Sequence, residues 1–213
     1  MLLEEIRDEV QLIINDSTFT STIVDSYINM VYQRAVGECL LPDLKSVDAV
    51  DTELGQAYTS MTAVSGGFSG VLSRVYNSDG VTLEIYPKLE LLMDVSGNLT
   101  DEGDSVEAVA LEGSTLWYYP IPTVAETLTV IYYKTPTDMS ADGDTPSYIP
   151  DFLHYAILVN GAVAMCFDII EGGIEGIKVN TRSREIAKET GVTRFREWLG
   201  KTRRHYITSQ EPF

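Results

Sequence analysis

The sequence predicts an α+β fold: a helical bundle, with two N-terminal and two C-terminal helices, carrying an inserted antiparallel β-sheet or small β-sandwich. Three observations lead there. Apolar residues recur at helical spacing before residue 44 and again after residue 150, the repeat falls to two between Lys45 and about Thr135, and loops rich in Gly, Asp and Ser cut that middle stretch into short pieces. At 213 residues the chain is long enough to bury a core without metal or disulfide staples. The expected organisation is a bundle from 1–44 and 150–204, a β-rich insertion over 45–149, and an extended tail over 205–213.

Leu3, Ile6, Val10 and Ile13 follow a 3-4-3 spacing, with Glu4, Glu5, Arg7, Asp8 and Glu9 on the other face, which predicts an amphipathic first helix. The polar run NDSTFT ends it. A second helix is expected from near Thr20 to about Leu41, striped by Val24, Ile28, Val31 and Ala35 and widened by Ile23, Tyr27 and Met30; Pro42 stops it. So broad an apolar face suggests contact on two sides. In the middle region the strand candidates are Val71–Tyr76, Val81–Tyr86 after the Ser78-Asp79-Gly80 turn, Ser105–Leu111, Thr115–Tyr119 and Thr127–Tyr133. A third helix starts at Pro150-Asp151 and is almost wholly apolar to Phe167, with Ala156, Gly161, Ala162 and Ala164 allowing close neighbours. A more polar last helix runs from about Ile174 to Arg204, with Gly191 as a weak point.

Charge is segregated. Residues 1–177 hold 6 basic and 28 acidic side chains, whereas 178–213 hold 9 basic and 4 acidic, for a total of −17. An acidic body repels phosphate, which argues against a conventional DNA-binding domain or a peripheral membrane protein. The basic end calls for an acidic partner. Cys39 and Cys166 both lie in apolar helical patterns, so no disulfide framework is expected and a reducing cytoplasm is the expected site of synthesis. MLLEEIRDEV carries acids where a signal peptide carries bases, which predicts no secretory route. The run Phe152–Ile170 approaches a membrane span in length, but His154, Asn160 and Asp168 interrupt it, so a central buried helix is expected.

Catalytic chemistry finds little support. GKT at 200–202 resembles the end of a phosphate-binding loop, yet Phe195 stands where its first glycine belongs. SGGFSG at 65–70 has Ser65 where a dinucleotide fingerprint needs glycine. Asp138, Ser140, Asp142 and Gly143 have calcium-loop spacing, but the twelfth position is Ile149 instead of a bidentate Glu. With His154 and His205 the only histidines, a zinc cage or a Ser-His-Asp triad has little to draw on. Paired carboxylates stay possible because 32 acids make close pairs inevitable. No catalytic residue, metal ligand or cofactor is assigned.

The densest aromatic stretch, LWYYPIPTVAETLTVIYYKTP at 116–136, reads as a hairpin whose turn is stiffened by Pro120 and Pro122. Alternation puts Leu116, Tyr118, Leu128, Val130 and Tyr132 on one face and Trp117, Tyr119, Ile131 and Tyr133 on the other. Two readings follow: a hairpin covered on both sides by its own domain, or one whose second face meets another subunit, where Tyr and Trp are enriched.

LWYYPIP, LTVIYYKTP, the acidic loop after it, IPDFLHYAILVNGAVAMCFD and the opening IRDEVQLIINDSTFTSTIVDSYINMVYQRAV together resemble the head-to-tail adaptor proteins of tailed bacteriophages. The resemblance covers about 1–44 and 111–200, and 45–110 only in β-like character. It implies a non-enzymatic virion protein: a connector or head-completion ring of about twelve copies in the neck between capsid and tail, beneath the portal and around the passage for DNA. The implied partners are further copies of the chain, the portal protein and a tail or nozzle protein, with DNA nearby and no membrane. Ile23, Tyr27, Met30, Trp117, Tyr119, Ile131 and Tyr133 would meet neighbouring subunits. Lys201, Arg203, Arg204, His205, Tyr206 and Phe213 would grip the portal, by charge for steering and aromatics for anchoring. Rival readings are another neck or tail ring, such as a tail terminator, and a carbohydrate hydrolase using acids of the β region.

Overall fold

The computed structural model describes residues 1–64, 67–97, 99–172 and 178–208, with 202–208 as backbone alone. In chain order the main elements are α1 (Leu3–Ile14), α2 (Ser21–Gly37), β1 (Lys45–Asp51), β2 (Tyr58–Ser60), β3 (Phe68–Tyr76), β4 (Glu84–Tyr86) and α3 (Leu89–Ser96). They continue with β5 (Glu102–Gly103), β6 (Ala108–Glu112), β7 (Thr115–Tyr119), β8 (Ile121–Pro122), β9 (Thr127–Lys134), α4 (Asn160–Gly172) and α5 (Val179–Thr208). The fold is mixed α+β, in two compact units: Met1–Cys39 with Pro136–Phe213, and Leu40–Thr135.

The helical unit buries Leu3, Ile6, Val10 and Ile14 of α1. The last of these replaces the expected Ile13, because a 3-4-4 spacing follows 3.6 residues per turn more closely than 3-4-3. Val24, Ile28, Val31 and Ala35 of α2 are buried as their stripe predicts, but the helix stops at Gly37, short of Leu41. The apolar third helix enters through a 3₁₀ turn at Asp151–Leu153 and a π-helical stretch at Tyr155–Val159 before α4 begins. Asp151–Gly172 is long and apolar enough to cross a membrane, yet most of it is buried against the unit's other helices. Close approach explains its small residues: a Cβ on Gly161 would fall 2.6 Å from Val31 Cγ1. Gly191 plays the same part for α5, which runs unbroken through it; a Cβ there would lie 2.9 Å from Ile157 Cγ1. It is a packing point and not the expected weak one. The backbone of α5 continues to Thr208, past the expected end at Arg204, while the expected start near Ile174 lies outside the described residues.

The β-rich unit is layered. One layer is a three-stranded antiparallel sheet in the order β1-β9-β3; the next is a four-stranded sheet, β2-β7-β6-β4. Between them lies a core that includes Val50, Val75, Leu116, Tyr118, Leu128, Val130 and Tyr132. The face expected to unite Leu116 and Tyr118 with Leu128, Val130 and Tyr132 therefore exists, but across two sheets. β7 and β9 do not form the expected hairpin: β7 pairs with β2 and β6, and β9 with β1 and β3. The connection contains Pro120 and Pro122, which cannot donate to a ladder, and its short strand β8 pairs in parallel with β5.

The insertion is also not wholly antiparallel, since β4 lies parallel to β6. Parallel neighbours need a long crossover, and α3 supplies it. Leu92, which α3 buries, packs with Leu99, Ala108, Ala110, Trp117 and Tyr119 and closes the far side of the four-stranded sheet. The layers thus run helix, four-stranded sheet, core, three-stranded sheet.

Candidate assembly surfaces

Strand alternation builds the first surface. With Leu128, Val130 and Tyr132 turned into the core, β9 presents Thr129, Ile131 and Tyr133 on the opposite face. Ile131 is flanked by Val47 on β1 and Arg74 on β3; Tyr133 is flanked by Lys45 and Val71. Val47 is 61% exposed, and Lys45 Nζ lies 5.5 Å from the centre of the Tyr133 ring. On this face Lys45 and Val47 are exposed and Ile131 and Tyr133 half-buried.

The second surface is the outer side of α3. Leu92 and Ser96, four residues apart, face inward; Leu91 and Val95 form an exposed apolar row beside the acidic row of Glu90 and Asp94. Val95 is 67% exposed. Beneath the helix, Trp117 and Tyr119 are half-buried, with Trp117 against Tyr58 at 5.0 Å between ring centres and the Tyr119 hydroxyl donating to Asp101 at 3.1 Å. The four residues expected at a subunit contact fall on two faces: Trp117 and Tyr119 lie with Leu92 of α3 on the far side of the four-stranded sheet, and Ile131 and Tyr133 lie on the outer face of the three-stranded sheet; all four are half-buried.

The third surface belongs to α2. Ile23 and Met30 are exposed and Tyr27 half-buried; Tyr27 and Met30 line a groove of about 330 Å³ that α4 and α5 complete with Met165, Ile169 and Val192. Along the same unit the basic residues of α5 meet the acidic body. Arg196 donates to Glu38 at 2.7 Å, and Lys178, just before α5, donates to Asp168 at 2.6 Å. Lys201 is exposed on α5. Arg203, Arg204, His205 and Tyr206 fall in its last described turns, with side chains outside the described residues, as is Phe213 entirely.

The loop that carries the calcium-like spacing, with Asp142 and the neighbouring Asp144, packs against the start of α1. The carbonyls of Asp144 and Asp142 accept the Leu3 and Glu4 N–H groups, filling two of the orphan positions at the start of α1. The Asp142 carboxylate pairs with Arg7 at 2.8 Å, and Arg7 also forks onto both oxygens of Asp25 at 2.7 and 2.9 Å. The Ser140 and Ala141 N–H groups donate to the Asp144 carboxylate and hold it below the usual range. Among the described residues, no three of His, Cys, Asp and Glu converge on a metal-sized site. Of the motif fragments, GKT lies within α5, and Phe68–Gly70 open β3 while Ser65 and Gly66 lie outside the described residues.

Sequence alternation places Ile131 and Tyr133 on the outer face of β9. The same period-two signal in Lys45-Ser-Val47-Asp-Ala49 puts Lys45 and Val47 beside them, whereas Leu91 and Val95 belong to α3, a helix that the sequence reading does not include. No curated protein matches the chain. A family model described as SU10 adaptor protein matches residues 1–190, which include the first two surfaces and all of the third but Val192, and leave out 191–213. The chain belongs to the SU10 adaptor protein family and is a bacteriophage head-tail adaptor.

Proposed function

We propose that the chain forms a closed ring in the virion neck, between portal and tail, with the DNA passage at its centre and the helical unit arranged as a bundle. The observation that carries this reading is the open apolar face of the β1-β9-β3 sheet. Val47, Ile131 and Tyr133 form one continuous row-and-column patch on a protein whose family is structural, and such patches mark contact sites. Closed rings use two different patches on each subunit, and the chain offers more than one. The net −22 of residues 1–177 suits a passage along which like charge keeps DNA from adhering. The role is one of shape and symmetry, without catalysis or cofactor. Ile23, Tyr27 and Met30, at the α2 groove, are proposed as a further subunit contact.

Electron microscopy of the full chain mixed with purified portal tests this. A ring of adaptor density on the portal is expected. Adaptor that ignores portal but caps purified tail tube would overturn the assignment in favour of a tail-terminating ring.

A further inference from the structure

We infer that neighbouring copies join head to tail through the β-rich unit, the open face of the β1-β9-β3 sheet of one copy receiving the outer side of α3 from the next. This rests on the ring reading above and adds which surfaces meet. The layering carries the argument. Helix, four-stranded sheet, core and three-stranded sheet follow in that order, so α3 and the open sheet face lie on opposite sides of the same unit. A contact between opposite sides passes from copy to copy, which is what a heterologous ring contact requires.

The two faces match in chemistry. The sheet face offers Val47, Ile131 and Tyr133 with the cations Lys45 and Arg74 on either side of β9. The helix offers Leu91 and Val95 beside the anions Glu90 and Asp94. Within Leu40–Thr135, 14 acids outnumber 4 bases, so two of those four bases on one apolar face form a local exception. Each face pairs poorly with its own copy. Sheet on sheet sets Lys45 and Arg74 against their equivalents, and helix on helix sets Glu90 and Asp94 against theirs; like charges brought together across an interface are strongly disfavoured. Two charges of opposite sign lie at the margins, Asp51 at the end of the sheet face, accepting from the Thr127 hydroxyl, and Lys88 at the N-cap of α3; they reduce the excess on each face to one charge without reversing its sign. In the assembly α3 would have sheets on both sides, its own under Leu92 and the neighbour's over Leu91 and Val95.

Charge reversal on the full chain tests the pairing, with ring formation on portal as the readout. K45E/R74E and E90K/D94K are each expected to lower ring yield by about tenfold while leaving the thermal unfolding midpoint unchanged; the four reversals in one chain restore it. Oxidative crosslinking on portal supplies a second measurement, with the unmodified chain as control for Cys39 and Cys166. V47C/V95C is expected to give a ladder of covalent multimers, and each single variant none beyond the control. Dimers from V47C alone or V95C alone would establish a like-with-like contact and overturn the inference. So would a ring that forms with undiminished yield under either reversal, or one that forms from V47C/V95C without crosslinking. If the unmodified chain forms no ring on portal, the ring reading falls and takes this contact with it.

Discussion

Glu126 gathers three separate segments of the β-rich unit. One carboxylate oxygen accepts the Val106 N–H and the other accepts from the Ser105 and Ser78 hydroxyls at 3.3 and 3.0 Å, while the Glu126 N–H donates to Thr52 Oγ1 at 2.9 Å. Removing the carboxylate strands the N–H of Val106, a fully buried residue, and an unpaired buried donor costs about 1–3 kcal/mol. Glu126→Ala should lower unfolding stability by that amount in a urea titration, and Glu126→Gln, which keeps one acceptor, by less. His154 makes a second residue-scale prediction. Its ring is 1% exposed, with one nitrogen 2.7 Å from the Ile149 carbonyl and the other 3.0 Å from the Met1 amino group. That pattern fixes a neutral ring with the proton on Nε2, and burial holds the imidazole below its ordinary value of 6.5 against the opposing pull of the Ile149 carbonyl. The unfolded chain therefore takes up a proton that the folded chain refuses. His154's contribution is fully present above pH 6.5 and is lost as pH falls from there towards the lowered folded value, by up to about 1.4 kcal/mol per pH unit. Urea midpoints at pH 7.5 and 5.5 should differ in that direction, and His154→Gln should flatten the difference.

Among the elements, α3 has the greatest consequence for its length. Eight residues convert an antiparallel insertion into one with a parallel β4-β6 pair and cover Trp117 and Tyr119. Leu92 is its fully buried anchor, so Leu92→Ala should cost about 2–5 kcal/mol. It should also shift tryptophan emission to the red as Trp117 gains water; an unshifted spectrum at full loss of stability would mean that α3 stays docked. The sequence signals for α1, α2 and β9 were strong because each has one more buried face and one wetter one, so periodicity reports burial directly. LELLMDVS carries apolar residues on nearly every side, which hides its period, although Gly97 at φ 62° is a legible C-terminal stop. Pairing is less legible than strand identity. Thr115–Tyr119 was read to its boundaries, yet its partners are β6 and β2, because adjacency in sequence weighs less than joining two sheets around Tyr118 and Tyr132. The same limit applies to the assembly surfaces. Ile131 and Tyr133 follow from alternation within one strand, whereas Trp117 and Tyr119 acquire their cover from a helix that folds back over them.

At the scale of the molecule, the charge division has a structural counterpart. The early cations of the basic segment are spent inside the chain, Lys178 on Asp168 and Arg196 on Glu38, and among the described residues the last buried side chains of α5 are Val192 and Phe195. Lys201, Arg203 and Arg204 come after both, in a stretch beyond residue 190, where the family match ends. We propose this end as the portal-docking element, and its chemistry sets the test. Deleting 201–213 removes none of the residues of the helical unit that are buried among the described ones, so the unfolding midpoint should stay within the scatter of the full chain. Attachment to portal-filled heads should fall to background. Lys201→Gln, Arg203→Gln and Arg204→Gln together should weaken attachment less than the deletion does, because the aromatics Tyr206 and Phe213 remain, and should flatten its dependence on salt. Undiminished attachment of the truncated chain would remove these residues from the contact. Attachment lost by the deletion but untouched by the triple substitution would leave the aromatic residues as the anchor.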